Sequence, residues 1–210
     1  MTREAFQKSL DEHAATIEEI RHRAHMLHNS VNQKYDRKHP YGYHLDMVAE
    51  AAMQYGHLVC QSERDVLPIC FGAYYHDSIE DARMSYNDVM KAAKLFMDDE
   101  QAYMAAEIVY ALTNDKGRTR AERAGERYYA GIRQTPYAPF LKLADRVANI
   151  TYSFEHCHAA NAHMKQVYSD ELPHFLQALD AHSSDPRQAL PGEMVQRLEA
   201  LVFGDSVPKR

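Results

Sequence analysis

Apolar residues at three-, four- and seven-residue steps mark the first element. Phe6, Leu10, Ile17, Ile20 and Leu27 form one stripe in a polar background, predicting a single amphipathic surface helix over residues 3–28. Periodicity then lapses over 29–43, where Tyr35-Asp36-Arg37-Lys38-His39-Pro40-Tyr41-Gly42-Tyr43 sets Pro and Gly among aromatics and cations, the composition of a loop. A second helix is expected over 44–61, with His44, Val48, Ala51, Ala52 and Tyr55 along its inward stripe. The next, over 66–81, begins apolar nearly all round, as a central buried helix should. Ser85 with Asp88 three residues later predicts an N-cap and a helix over 85–96. Ala102, Ala105, Ala106, Val109 and Leu112 predict another over 99–112, stopped by Thr113-Asn114-Asp115-Lys116-Gly117.

After the Pro-bounded link 135–139, a helix over 140–150 places Phe140, Leu143, Val147 and Ile150 on one side and Lys142, Asp145 and Asn149 on another. A polar stripe is thus reserved inside a helix that otherwise reads as core. Two more helices, over 159–181 and 191–202, are separated by Ser183-Ser184-Asp185-Pro186, and 204–210 reads as a loose tail. No strand, repeat or low-complexity block interrupts this pattern. The expected fold is all-α: one domain over 1–203, with a core of 30–152, an N-terminal helix over 3–28 and C-terminal helices over 159–202.

Composition narrows the class. A chain of 210 residues, 45% hydrophobic and 26% charged, can bury one good core. A formal charge of -6 argues against a binder of nucleic-acid polymers or membrane surfaces, which would need a dominant basic face. An anionic ligand must therefore meet a local basic cluster. The most basic segment is 116–127, with Lys116, Arg118, Arg120, Arg123 and Arg127 against Glu122 and Glu126; it reads as a solvated helix face, or alternatively as a phosphate-facing rim. Cys60, Cys70 and Cys157 form no CxxC pair and read as reduced thiols. A polar start and no apolar run near the ~18 residues of a membrane span predict a cytoplasmic protein that is not exported. The oligomeric state is left open.

The candidate chemistry sits in Ala73-Tyr74-Tyr75-His76-Asp77-Ser78-Ile79-Glu80-Asp81, where an apolar run ends in a His-Asp pair followed one turn later by two carboxylates. On a helix His76 shares a face with Glu80, and Asp77 with Asp81. Such groups are costly to desolvate unless they are paired or hold a cation. His44 lies near the start of another helix and Asp145 on the polar stripe of a third. Two imidazoles and two carboxylates suit a divalent transition metal such as Mn or Fe better than a closed thiolate zinc site. His13, His22, His25 and His28 also share the first helix, but no carboxylate or thiolate is spaced to complete a site there, and they read as solvated.

The order H…HD…D over His44, His76, Asp77 and Asp145 resembles the HD-domain metal-dependent phosphohydrolases. Within them the chain is most similar to the hydrolase domain of the Rel/Spo alarmone enzymes and the stand-alone small alarmone hydrolases. Arg37-Lys38 ahead of Tyr43-His44, His76-Asp77-Ser78-Ile79-Glu80-Asp81 against HD-x-x-ED, and Lys142 to Asn149 against KLADR-x-x-N carry the resemblance, which covers residues 30–152. Two features depart from the pattern: the loop before His44 is about four residues shorter, and Leu45 stands where a proline is expected.

The resemblance implies a helical bundle holding one divalent metal through His44, His76, Asp77 and Asp145, with Mn the first choice and Fe, Co, Zn or Mg as alternatives. One metal is favoured because no histidine lies between Asp77 and Asp145, the interval from which two-metal relatives draw further ligands. Glu80 and Asp81 would orient and deprotonate the attacking water. Lys142, with Arg37, Lys38, Lys116 and Arg120, would stabilise phosphoryl charge. Asn149 and Tyr43 would contact the nucleoside, and Lys165 or Tyr168 could reach phosphates. The implied activity is hydrolysis of a small nucleotide, with guanosine 3',5'-bis(diphosphate) the leading substrate and the 3'-diphosphate bond the one broken. The alternatives are a nucleotidase or deoxynucleotide phosphohydrolase of the same class, and a non-catalytic nucleotide-sensing module.

Overall fold

Eleven α-helices are present in the computed structural model, which describes residues 1–36, 38–114, 118–155 and 162–204; for residues 120, 121 and 162 only the backbone is described. They are α1 (Arg3–Glu12), α2 (Ala14–Ser30), α3 (Gly42–Tyr55), α4 (Val66–Tyr75), α5 (Tyr86–Ala93), α6 (Asp99–Leu112), α7 (Arg120–Arg123), α8 (Glu126–Gln134), α9 (Ala138–Glu155), α10 (Ala162–Leu179) and α11 (Gly192–Phe203). Among the described residues no strand forms, and β-type pairing is limited to one isolated bridge between Lys34 and Pro40. None of the helices is long and apolar enough to cross a membrane, among the residues described.

The all-α expectation holds, and α4 is its axis. All ten of its residues are buried. It packs between α3 and α6, while α9 lies along α3 and closes the same core. Gly72 lets α4 approach its neighbours. A Cβ there would stand 2.7 Å from Leu141 Cδ1 and 2.9 Å from Ile108 Cγ2, and both side chains are fully buried. Overpacking costs about 1–3 kcal/mol, against a propensity gain of at most ~1 kcal/mol for alanine. Gly72→Ala is therefore expected to lose stability, read as a lower urea midpoint at unchanged slope.

Several boundaries differ from the periodicity reading. The single helix expected over 3–28 is two helices, broken at His13, whose backbone (φ -100°, ψ 8°) leaves the helical region. The break lets α1 turn Phe6 against Gly56, where a Cβ would fall 2.5 Å from the ring, while α2 lies along α3 and α4. The helix expected over 66–81 stops at Tyr75. The Ala73 carbonyl, which a continuing helix would offer to the Asp77 N–H, accepts from the His76 ring at 2.8 Å. Residues 76–81 continue as turns, and the Asp81 N–H still reaches Asp77 O at 2.8 Å. The predicted N-cap at Ser85 is present, and with Asp88 it forms a capping box, although α5 ends at Ala93 rather than 96. The helix expected over 140–150 is longer at both ends, as α9. Of the helix expected over 159–181 the described part is Ala162–Leu179, and of the tail only Gly204 lies within the described residues.

The histidines of the N-terminal segment are not uniformly solvated. His28 is completely buried, because α2 turns it onto the Tyr41 ring, with centroids 4.7 Å apart and planes 16° from parallel. His25 hydrogen-bonds Asp46, which Arg21 also grips through two nitrogens. Cys60 and Cys70 are buried free thiols; Cys157 lies outside the described residues.

Candidate metal centre

Three elements deliver the candidate ligands to one point. His44 sits in the first turn of α3, His76 and Asp77 directly follow α4, and Asp145 projects from the middle of α9. Ligand atoms from His44, His76 and Asp145 lie within 4.8 Å of one another. The two Nε2 atoms are 3.3 Å apart; His44 Nε2 is 3.4 Å from Asp145 Oδ1 and 3.7 Å from Asp77 Oδ2, and His76 Nε2 is 2.9 Å from that same Asp77 oxygen. Both imidazoles are buried. Two imidazole nitrogens facing each other, with carboxylate oxygens from two chains of sequence beside them, form a donor set that fits a divalent transition metal.

The surroundings orient these groups as a metal site requires. His76 donates from Nδ1 to the Ala73 carbonyl, which turns Nε2 toward the other ligands. Tyr41 donates its hydroxyl to Asp77 Oδ2. Asn149 donates to Asp145 Oδ1 at 2.6 Å, and Lys142 Nζ lies 3.0 Å from Asp145 Oδ2. Charge balance follows. Burial opposes ionisation of Asp77 and Asp145, but the imidazoles beside both, and Lys142 beside Asp145, hold each below the usual carboxylate range. Burial likewise opposes charge on His76, and the Asp77 carboxylate outweighs it, raising the imidazole to about 9. Both carboxylates are therefore charged at neutral pH, as ligands must be, whereas His76 carries a proton that a bound cation would have to displace.

Tyr41 is an outer-shell residue that periodicity did not single out. It is nearly buried, flat against His28 and edge-on to His44 at 5.4 Å. Its position three residues before His44 was the available signal, since that spacing aims both at one side of a helix start. Removing only the hydroxyl leaves Asp77 short of one donor. Tyr41→Phe is expected to weaken Mn binding about 10-fold, at the lower end of what outer-shell changes cost, with little change in thermal midpoint; titration calorimetry on the metal-free protein measures it.

His44, Asp77 and Asp145, though not His76, line a cleft of about 720 Å³ that also includes Glu80, Asp81 and Asn114 and residues of α8 and α10. Glu80 is exposed, and the Asn114 side-chain amide donates to both of its oxygens at 3.0 and 2.9 Å. Burial and the Asp77 charge push Asp81 up to about 6. Lys142 and Asn149 line the cleft. Lys142 lies 5.7 Å over the Tyr128 ring; burial acts to discharge it, and Tyr128 with Asp145 outweighs this to keep the ammonium charged.

The other expected contacts fall elsewhere. Lys38 is exposed and Tyr43 stacks on His39 at 4.6 Å; neither lines the cleft. Lys165 is also absent from its walls, while Tyr168 is present. Arg37 and Lys116 lie outside the described residues, as does the side chain of Arg120. The cleft instead includes Tyr35, Arg123 and Arg146, which hydropathy alone does not distinguish from core or surface positions. In comparisons with known proteins the chain matches no family model, and no curated protein or solved structure matches it significantly.

Proposed function

We propose that this chain is a metal-dependent phosphohydrolase of the HD type, acting on a small phosphorylated nucleotide, with guanosine 3',5'-bis(diphosphate) the leading substrate and its 3'-diphosphate the group removed. The observation that carries the reading is the convergence of His44 from α3, His76 just after α4 and Asp145 from α9, whose ligand atoms lie within 4.8 Å of one another, with Asp77 Oδ2 2.9 and 3.7 Å from the two imidazoles. Mutual ion pairs and Lys142 offset the desolvation of these groups, and a cation would satisfy the two imidazole nitrogens that face each other. A divalent cation, Mn in the first instance, would be held by His44, His76, Asp77 and Asp145 and would supply Lewis acidity toward a phosphoryl oxygen and an attacking water.

The remaining work belongs to the chain. Glu80 and Asp81 stand at the cleft's edge, one turn beyond the ligands, to accept the proton of the attacking water at a carboxylate oxygen. Lys142 offers a fixed ammonium to the negative charge that spreads over the phosphoryl oxygens as the P–O bond to the leaving group breaks. Asn149 holds Asp145 in place. The test incubates purified protein with Mn, or with a chelator, and a panel of guanosine tetraphosphate, NADPH and nucleoside mono- and triphosphates. Pyrophosphate released from the 3' position, only with metal, is the expected result. Release of phosphate from monophosphates alone would make it a nucleotidase. Nucleotide binding without any release would leave the sensing module.

A further inference from the structure

The loop before α3 reaches two of the metal-centre side chains through one residue. Tyr35 lies flat on His44, with ring centroids 5.1 Å apart and planes 11° from parallel. Its hydroxyl donates to Asn149 Oδ1 at 3.0 Å. Asn149 in turn donates through Nδ2 to the Asp145 carboxylate at 2.6 Å and to the Asp145 carbonyl at 3.1 Å. His44 belongs to α3 and Asp145 to α9, so one side chain acts on ligands from two helices. The direction of these bonds fixes the amide. A carboxylate and a carbonyl can only accept, so Nδ2 must face Asp145 and Oδ1 is left pointing away, in need of a donor. The Tyr35 hydroxyl is that donor. Turned over, the amide would set its own oxygen against the Asp145 carboxylate and push that side chain from its place beside His44. A phenylalanine at position 35 would keep the ring on the imidazole and withdraw only the proton that holds the amide this way round.

Tyr35 is itself held in place. Its N–H donates to the His39 carbonyl at 3.0 Å, and Lys34 bridges to Pro40, which closes the loop at its neck. Asp36 sits in left-handed backbone (φ 41°), a conformation Asp tolerates better than most residues. Its carboxylate accepts from the Lys38 and His39 N–H groups at 3.1 and 3.0 Å and from the Tyr152 hydroxyl of α9. Tyr152 also meets the Tyr35 ring edge-on at 5.0 Å. The loop is therefore pinned to the helix that carries Asp145, and Tyr35 approaches His44 from a fixed base. Side chains locked in this way by their surroundings keep a donor set in its binding geometry.

We propose that Tyr35 is a positioning residue of the metal centre, setting the plane of the His44 ring by stacking and the aim of Asp145 through Asn149, so that ligands from two helices are aligned before a cation arrives. This rests on the metal-dependent reading above, and its test needs no turnover. Mn is titrated calorimetrically into the metal-free full-length wild type, Tyr35→Phe, Tyr35→Leu, Asn149→Ala and the double variant Tyr35→Phe/Asn149→Ala, with thermal midpoints taken alongside. Loss of the hydroxyl alone should weaken Mn binding about fivefold, within what one hydrogen bond contributes. Loss of the ring should weaken it about 10-fold or more, as other outer-shell changes do. Because the hydroxyl acts through Asn149, adding Tyr35→Phe to Asn149→Ala should cost less than about twofold further. A residue that only braced the fold would lower the thermal midpoint and leave Mn affinity within about twofold of wild type in both Tyr35 variants, which overturns the proposal. A hydroxyl effect that persists undiminished in the Asn149→Ala background overturns it too. A wild type that binds no Mn removes the metal centre and the proposal together. The expected affinity losses, without release of phosphate or pyrophosphate from any nucleotide, would instead remove the hydrolase reading and leave Tyr35 in its role.

Discussion

Asp145→Ala is expected to abolish metal retention and, with it, all phosphate release. The carboxylate lies within 3.4 Å of His44 Nε2, and its loss removes one of the donors on which the centre depends. Since even outer-shell substitutions cost roughly 10–100-fold in metal affinity, loss of a direct ligand should exceed about 100-fold. The same substitution exposes a second dependence. Lys142, whose side chain is 15% exposed, has Asp145 as its ion-pair partner at 3.0 Å, so alanine leaves a mostly buried ammonium without it. Breaking a buried pair from one side costs about 3–5 kcal/mol, whereas replacing both partners with apolar groups is often neutral. The double variant Asp145→Ala/Lys142→Met should therefore regain most of the lost stability and none of the metal binding. Denaturant melts and Mn titration of the three proteins separate the two effects. An Mn affinity in Asp145→Ala within threefold of wild type, roughly 0.7 kcal/mol, would show that the centre lies elsewhere.

Much of this arrangement was legible from residue types and spacing, and the reasons for the exceptions are physical. The stripe Lys142, Asp145 and Asn149 could be read because a helix that buries its other side has no cause to keep three polar groups in line unless they face something. In the structure they do, since all three line the cleft. The His76-Asp77 pair could be read because it ends an apolar run. What spacing could not supply was the third dimension. His28 follows the same step pattern as the exposed His22, and only the packing of α2 against the loop before α3 puts it on Tyr41. Tyr35 and Tyr41 lie in a stretch without periodicity, so hydropathy had no purchase on which aromatic would cover His44 and which would reach Asp77. The early end of α4 depends on a side chain taking a backbone acceptor, a competition invisible to any window average.

Glu80→Gln should lower turnover by about 10²–10⁴ while leaving metal content near wild type, because the residue is proposed to move a proton and is not among the ligands. Its setting supports that division. Glu80 lies in the turn after α4, lines the cleft, and is clasped through both oxygens by the Asn114 amide at the end of α6. The clasp fixes where the carboxylate lone pairs point without neutralising them, as a base that must meet a water in one orientation needs. Glutamine is nearly isosteric and its one oxygen can still accept from Asn114, but its amide nitrogen cannot, so two things change at once: the basic carboxylate is lost and the clasp is halved. Asn114→Ala separates them. It frees a Glu80 that can still accept a proton, and the expected fall is about 10-fold, the share of positioning alone. Asp81 is the competitor for the role, being adjacent in sequence and on the same cleft wall. Measured kcat for Glu80→Gln, Asp81→Asn and Asn114→Ala, with metal content determined on each protein, decides between them. Should Glu80→Gln keep its turnover and Asp81→Asn lose it, the proton is taken by Asp81, and the Asn114 clasp serves the fold of the turn rather than the reaction.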